Sequence, residues 1–170
     1  SIDVGFQPDL ILFKNRNTSS YSPYLFASVR GLHRNVTDST DPENISATLD
    51  ELTSYDENGY TLAPGAGMNG SGNTYSSWCW KADQDGPNGE RYSLESGVSL
   101  HHIIAENGLV LEHSLGVEPS VIITKNLDQS DAWGFFHKDA YTTTPWDSRF
   151  RSEEAQTLRT PEGHLTSVTS

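Results

Sequence analysis

The segment of the chain richest in oxygen-bearing side chains is a short acidic stretch that begins at Asp83. Four of its side chains could donate oxygen ligands to a cation, and these are Asp83, Asp85, Asn88 and Glu90. Hard cations such as Ca²⁺ bind about six to eight oxygens in tightly turned loops of this type. Because the spacing is not that of an EF-hand loop, a solvated acidic linker is the alternative to a Ca²⁺ site.

The histidines, the serines and the single cysteine form no recognisable catalytic motif. None of the 6 histidines has the i, i+4 spacing of a helical zinc motif. His101 and His102 are adjacent, so in a strand they would face opposite sides of the sheet. No Gly-x-Ser-x-Gly elbow is present, and Cys79 lies between two tryptophans in an alternating run, where a buried and unreactive thiol is expected. We therefore expect no enzymatic activity and, apart from the Ca²⁺ alternative, no cofactor.

Aromatic side chains in or beside polar loops are the stronger functional signal. Such rings have an apolar face that can stack on a sugar, while their polar neighbours bond the sugar hydroxyls. The densest stretch of this type is residues 139–147. The candidate glycan-contact residues are Tyr21, Tyr24, Trp133, Tyr141, Trp146 and Asp147. The alternative for Trp146 is a purely structural role, in which it covers the edge of a sheet.

Composition and charge exclude several classes of partner. The chain has 23 Asp and Glu against 11 Lys and Arg, which gives a net charge of -12. This field repels phosphate backbones and anionic membrane surfaces, so no nucleic-acid partner is expected. No apolar run approaches the roughly 20 residues of a membrane helix, so no membrane insertion is expected. One cysteine permits no internal disulfide. The 34% apolar and 10% aromatic residues, with 14 glycines, favour a folded, β-rich chain.

One sequence motif occurs twice in the chain. The first copy starts at Gly5 and reads GFQPDLILFKN, and the second starts at Gly116 and reads GVEPSVIITKN. Self-similarity of this kind indicates two modules of one architecture. Residues 74–81 have no counterpart after the second copy. We therefore expect the second module to be truncated, or to receive this strand from a partner.

Hydrophobic periodicity predicts strands rather than helices. Apolar runs that follow proline at residues 9–14 and 120–125 are typical of strands buried on both faces. Residues 24–29 and 133–137 are their expected partner strands, and residues 74–80 alternate between two faces.

Two turns complete this prediction. Asn58-Gly59 is a hairpin signal, and the apolar runs 103–105 and 109–112 flank a second Asn-Gly turn. The predicted fold class is all-β, with tandem jelly-roll-like β-sandwich modules of which the second is incomplete. The predicted first module is 1–90, with strands borrowed from 97–113, and the second is 91–170.

Taken together, several of these segments resemble a module of bacteriophage virion proteins. In that family a phrase Gly-Phe-Gln-Pro-Asp-Leu-Val-Trp-Ile-Lys-Asn-Arg opens the module, and Tyr-Val-Ala-Trp-Cys-Trp-Lys closes it. The matching segments in this chain are 5–16, 25–31, 59–62, 72–75 and 78–81. The module is found in tail-fibre and other structural proteins of marine and cyanobacterial phages. The resemblance implies a β-sandwich located on a virion, and it implies no catalytic residues.

The expected function is that of a virion structural protein, a tail-fibre or tail-associated module that displays loops to a bacterial surface glycan. Its expected partners are other virion subunits and further copies of itself, with a trimer favoured because multivalency strengthens weak sugar contacts. A capsid decoration or head-fibre protein is one alternative. A polysaccharide depolymerase and a carbohydrate-binding module are the others.

Overall fold

The computed structural model of the protein describes residues 1–44 and 51–138. Its strands are β1 (Ile2–Asp3), β2 (Leu10–Asn15), β3 (Tyr24–Ala27), β4 (Arg34–Val36), β5 (Leu52–Asp56), β6 (Gly59–Leu62), β7 (Tyr75–Trp80), β8 (Gln84–Asp85), β9 (Arg91–Ser93), β10 (Val98–Leu100), β11 (Val121–Thr124) and β12 (Gly134–His137). One helical turn, α1 (Ala66–Asn69), and two 3-10 turns, Ser28–Arg30 and Pro87–Gly89, lie between them. The protein is nearly all-β, with several antiparallel sheets, which confirms the predicted class. Over the described ranges, no helix has the length and apolarity needed to cross a membrane.

The chain divides into two compact units. The first comprises Ser1–Asn35 and Asn44–Leu115. The second comprises Val36–Glu43 and the chain from Gly116 onwards. A short segment of the amino-terminal half therefore belongs to the second unit, while residues 97–113 belong to the first.

The largest sheet of the first unit has the order β4-β3-β2-β7, and β2 is an inner strand with a partner on each edge. Leu10 pairs with Ala27 of β3 on one side and with Trp80 of β7 on the other. Alternate residues of β2 face inwards, and Ile11 and Phe13 are almost fully buried. Branched and aromatic side chains suit this pleated, two-sided environment, which is why the apolar run forms a strand.

A second sheet, of order β1-β6-β5, packs against the first. Its buried residues include Leu52 and Tyr60, and the phenol of Tyr60 lies beside Ser77 and Cys79 of β7. Burial raises the pKa of Tyr60, as expected for a phenol enclosed between two apolar layers. Two antiparallel layers with a shared core are consistent with a β-sandwich.

The hairpin predicted at Asn58-Gly59 is present between β5 and β6, but its two turn residues lie one position earlier than the Asn-Gly pair. The register pairs Asp56 with Gly59, so the turn residues are Glu57 and Asn58, and Gly59 is the first residue of β6. Asn58 does not have positive φ. Glycine is needed at position 59 because β1 pairs with β6 there, and a Cβ would overlap the carbonyl oxygen of Ile2. The glycine therefore permits a close backbone approach rather than a left-handed turn.

The hairpin β11–β12 of the second unit reproduces the pairing of β2 with β3. Ile11 pairs with Phe26, and at the equivalent positions of the second motif Ile122 pairs with Phe136. The connection after each first strand begins in the same way. Asn15 Oδ1 accepts hydrogen bonds from the backbone N–H groups two and three residues later, at 3.0 and 3.0 Å, and Asn126 Oδ1 does so at 3.1 and 3.2 Å. The two copies of the motif therefore share one local structure.

The predicted strands 103–105 and 109–112 are absent from the structure. The turn between them is present, since the Leu109 N–H bonds to the Glu106 carbonyl at 3.2 Å. The flanking residues are extended but belong to no strand. Two apolar runs around a turn were enough to predict an extended backbone, but a strand also requires a neighbour to pair with, which this segment lacks within the described chain.

The core of the first unit predicts a matched pair of leucine effects on stability. Leu52 is 0% exposed and Leu94 is 59% exposed. We expect Leu52→Ala to lower the free energy of unfolding by about 2–5 kcal/mol, because it leaves a cavity. We expect Leu94→Ala to change it by less than about 0.5 kcal/mol. Urea denaturation followed by circular dichroism measures both, and equal effects would contradict this description of the core.

Candidate functional site

Three of the six sequence-predicted glycan-contact residues lie within the described structure. Tyr141, Trp146 and Asp147 lie outside the described residues. Trp133 belongs to the second unit, where it is half-buried and its indole N–H bonds to the Val36 carbonyl at 3.2 Å. Tyr21 belongs to the first unit. Tyr21 is half-buried, as Trp133 is, so neither of these two described side chains presents a fully exposed ring.

Tyr24, the remaining aromatic candidate, lies in the core rather than on the surface. Its side chain is 8% exposed, and the guanidinium carbon of Arg34 lies 4.4 Å from the ring centroid. Arg34 also forms an ion pair with Glu51. One face of Tyr24 is thus covered by a cation, and stacking of this type stabilises a fold rather than offering a ring to a sugar.

The four oxygen-bearing side chains proposed as Ca²⁺ ligands do not converge. Asp83 pairs with Lys81 at 2.7 Å, and Asp85 pairs with Arg91 at 2.7 Å. Asn88 is exposed and has φ of 56, which serves the tight turn around it. Within residues 1–44 and 51–138, no group of three or more His, Cys, Asp and Glu is arranged to hold a metal ion.

Glu90, the fourth of these residues, is instead the centre of a buried polar cluster. Its side chain is fully buried between the end of the Pro87–Gly89 turn and β9. Oε1 accepts hydrogen bonds from Ser99 Oγ at 2.6 Å and from the Ser114 N–H at 2.9 Å. Oε2 accepts one from Ser114 Oγ at 2.6 Å. Both oxygens are therefore occupied by hydroxyl and amide donors, and neither is free to bind a cation.

Ser99, His101 and Glu90 lie together, but they do not have the geometry of a catalytic relay. His101 Nε2 is 2.7 Å from Ser99 Oγ and 3.6 Å from Glu90 Oε1. In a relay the acid orients the base through the second ring nitrogen. Here the serine and the acid lie at the same nitrogen, and His101 Nδ1 is buried without a partner. The cluster is suited to anchoring the chain, not to activating the serine.

The electrostatics of the cluster favour an ionised acid and a neutral histidine. Burial alone raises the pKa of Glu90, but the hydrogen bonds from Ser114 and Ser99 outweigh it and hold that pKa below its ordinary value. Burial lowers the pKa of His101, and the positive field of His113 adds to this effect, while Glu90 opposes it. Protonation of either group in acid therefore weakens the cluster.

A second buried carboxylate, that of Asp9, lies beside Arg91, which directly follows Glu90 in the chain. Asp9 is 1% exposed and accepts hydrogen bonds from Ser28 Oγ at 2.7 Å and from the Ala82 N–H at 2.8 Å. Arg91 completes it with an N–O distance of 3.2 Å. Asp9 thus ties the start of β2 to the residues that follow β3 and β7. Sequence reasoning missed it, although an aspartate directly before a buried apolar run was an available signal.

Residues 102–112, which we call the arm, form an exposed apolar segment. In the sequence they lie between His101 and Ser114 of the Glu90 cluster. Ile104 is 92% exposed and Val110 is 76% exposed. Ile103, Leu109 and Leu111 are each about 40% exposed. Ser99 and His101 hold the start of the arm and Ser114 holds its end, so the arm is an exposed loop on a fixed base.

The cysteine does not supply a nucleophile to any of these features. Burial raises the pKa of the Cys79 thiol, and Ser77 opposes this only in part. A thiol with a raised pKa remains protonated at neutral pH and is a poor nucleophile. The side chain lies on the inner face of β7, opposite Ile11.

Comparison with known proteins assigns the chain to a family. The family model of DUF7483, a domain of unknown function, matches residues 1–166. The chain belongs to the DUF7483 family. The match spans both copies of the motif, and within it lie the Glu90 cluster and the arm of this DUF7483 chain. No curated protein and no solved structure matches the chain.

The Glu90 cluster leaves no room for a side chain at Gly86. A Cβ at that position would overlap Glu90 Oε2 and would lie 2.9 Å from Ser114 Oγ. We expect Gly86→Ala to destabilise the DUF7483 chain by about 1–3 kcal/mol, as overpacking does. Gly67→Ala is the control, because its Cβ would make only ordinary van der Waals contacts, with the Tyr21 ring at 3.8 Å and with Tyr24 Oη at 3.9 Å. Thermal unfolding of the two variants measures the difference, and equal melting temperatures would refute the packing argument.

His101 predicts a loss of stability in mild acid. Its pKa in the folded chain is below the ordinary 6.5, so the unfolded chain binds more protons between these two values. The stability that neutral His101 contributes is present above pH 6.5 and is lost as the pH falls through the lowered pKa. We expect the free energy of unfolding in urea to be smaller at about pH 5 than at about pH 7.

Two glutamine variants separate this effect from general acid sensitivity. His101→Gln should flatten the dependence of stability on pH. His102→Gln removes an exposed histidine from the next position and should leave the slope of the wild type. If the two variants have the same slope, the acid sensitivity does not originate at His101.

Proposed function

We propose that this DUF7483 chain is a structural protein of a bacteriophage virion, a tail-fibre or tail-associated module whose loops attach to a bacterial surface glycan. The proposal rests first on the sequence resemblance, which runs through β2, β3, β6 and β7. These strands supply most of the buried apolar residues of the first unit. The resemblance therefore involves the residues that determine the fold, and not only a surface motif.

The observation that carries the proposal furthest is the repeated hairpin. β2–β3 and β11–β12 have the same register, the same asparagine-capped turn and a glycine with positive φ before the first strand, at Gly5 and Gly116. A duplicated β-module is an economical way to build an elongated assembly, because each copy presents similar loops at a regular interval. We propose accordingly that the chain contains tandem jelly-roll-like modules and functions as part of a larger virion assembly with other subunits.

The polar chemistry of the described residues supports a binding and structural role. The Glu90 cluster uses its serines and histidine to hold the base of the arm, and Asp9 and Arg91 use their charges to join strands. In both clusters the hydrogen-bonding capacity is largely directed at the chain itself. An attachment role needs exposed loops on a rigid base, and that is the arrangement around the arm.

A capsid decoration protein, a polysaccharide depolymerase and a carbohydrate-binding module are distinct outcomes of one set of experiments. Antibodies against the chain, viewed by electron microscopy on purified particles, should label the tail or its fibres. Label on the head would favour decoration. Release of reducing ends from host polysaccharide would favour a depolymerase. Absence of any label would refute the virion assignment.

Removal of the Trp146 side chain tests whether the chain attaches to a glycan. We expect binding to immobilised host polysaccharide to weaken by about tenfold or more in Trp146→Ala, because stacking on the sugar is lost. Trp78→Ala is the matched control, since Trp78 is 51% exposed on β7 and lies outside the proposed contact set. Equal binding by the two variants would exclude Trp146 from the contact.

A further inference from the structure

The strand β11 has one paired edge and one edge that no described strand occupies. The Lys138 N–H bonds to the Ser120 carbonyl, and narrow and wide pairs alternate along an antiparallel ladder. Ile122 and Thr124 therefore direct their backbone groups to β12. Val121 and Ile123 direct theirs to the open edge. Both of these side chains are also exposed, at 43% and 56%.

In the first unit the equivalent edge is covered. β7 pairs with β2 along its whole length, from Leu10 with Trp80 to Asn15 with Tyr75. The counterparts of Val121 and Ile123 in the first motif are Leu10 and Leu12, and both are half-buried. The repeated hairpin thus has a place for a third strand, and among the described residues that place is filled in only one of its two copies.

The arm is a segment that could form a strand but has no strand to pair with among the described residues. It is an extended apolar segment whose only backbone–backbone hydrogen bond within the described chain is that of its own turn, from Leu109 to Glu106. Its two legs are apolar and extended, as strands are, but within the described chain they belong to no ladder. An unpaired extended segment and an unpaired strand edge in one chain are complementary in hydrogen bonding and in apolar character.

The arm and the hairpin β11–β12 differ in the charged residues that they carry. The arm contains Glu106 and Glu112 and neither lysine nor arginine. In residues 121–125 and 134–138 the formal charges at neutral pH are those of Lys125 and Lys138. Lys125 also interacts electrostatically with Asp131 and Asp41, so the pairing of the arm with this edge rests on backbone hydrogen bonding and apolar character rather than on charge.

We propose that the arm of one copy of this chain adds as a strand to the open edge of β11 in a second copy. The Glu90 cluster fixes both ends of the arm, so little conformational entropy is lost when it docks. Each copy offers one arm and one edge, so the contact is head-to-tail. It closes into a ring if the rotation between copies permits, and otherwise it extends into a filament. This inference does not depend on the virion assignment.

Solution mass tests the proposal. Sedimentation equilibrium of the full chain should give a mass above that of the monomer, with dissociation on dilution. Val110→Asp places a charge on the arm at a 76% exposed position. Val121→Pro removes a backbone donor that points to the open edge and leaves the pairs with β12 intact. Each variant alone should be a monomer. Leu94→Asp is the control, because it places the same charge on an exposed aliphatic residue outside the arm, and it should retain the mass of the wild type.

Mixing the two variants is the decisive step. Val110→Asp retains an intact edge and Val121→Pro retains an intact arm, so an equimolar mixture should form a one-to-one heterodimer and nothing larger. A contact between two arms, or between two edges, would not be restored in this way. A monomeric wild type, an unchanged mass in Val110→Asp, or a mixture that remains monomeric would each overturn the proposal.

Hydrogen exchange keeps the test valid if Val121→Pro does not fold. The amides of Val121 and Ile123 should be protected in the wild-type oligomer and should exchange at least about tenfold faster in monomeric Val110→Asp. Protection that persists in that monomer would mean that another part of the same chain covers the edge. That result would overturn the intermolecular pairing.

Discussion

Two carboxylates that are buried beside the same short strand control how the first unit is held together. Asp9 takes its donors from the loops that follow β3 and β7, and Glu90 takes its donors from both ends of the arm. A buried charge without donors is costly, so the segments that supply these donors cannot move independently. Because Glu90 and Arg91 are neighbours in the chain, the anchor of the sheet and the anchor of the arm are mechanically linked.

The second copy of the motif lacks one of these carboxylates. Ser120 occupies the position equivalent to Asp9, and serine cannot accept the same set of charged and amide donors. The backbone nonetheless keeps its register, its turn and its glycine with positive φ. The hairpin geometry is therefore encoded by the apolar run and the terminal asparagine, whereas the charged anchor is specific to the first copy.

Much of the fold was accessible from the sequence, because it is local. Apolar runs after proline located β2 and β11, with β3 and β12 as their partners, alternation located β7, and the repeated motif indicated the common structure of the two hairpins. The contacts that sequence could not supply are long-range. No residue near Gly59 in the sequence indicates that β1 pairs beside it. Glu90 was predicted to be a surface ligand because its serine donors lie 9 and 24 residues away in the sequence. The arm was predicted to contain strands because an apolar run in a sequence does not reveal whether a pairing partner exists.

Glycines 59 and 86 have a consequence for how the family can vary. Gly59 is confined by the carbonyl oxygen of Ile2, and Gly86 is confined by Glu90 Oε2, four residues later, and by Ser114 Oγ; neither glycine needs an unusual backbone angle. Loop lengths around them can drift during evolution without relieving the overlap. Across related sequences these two positions should therefore remain glycine even where the neighbouring turns have been rewritten.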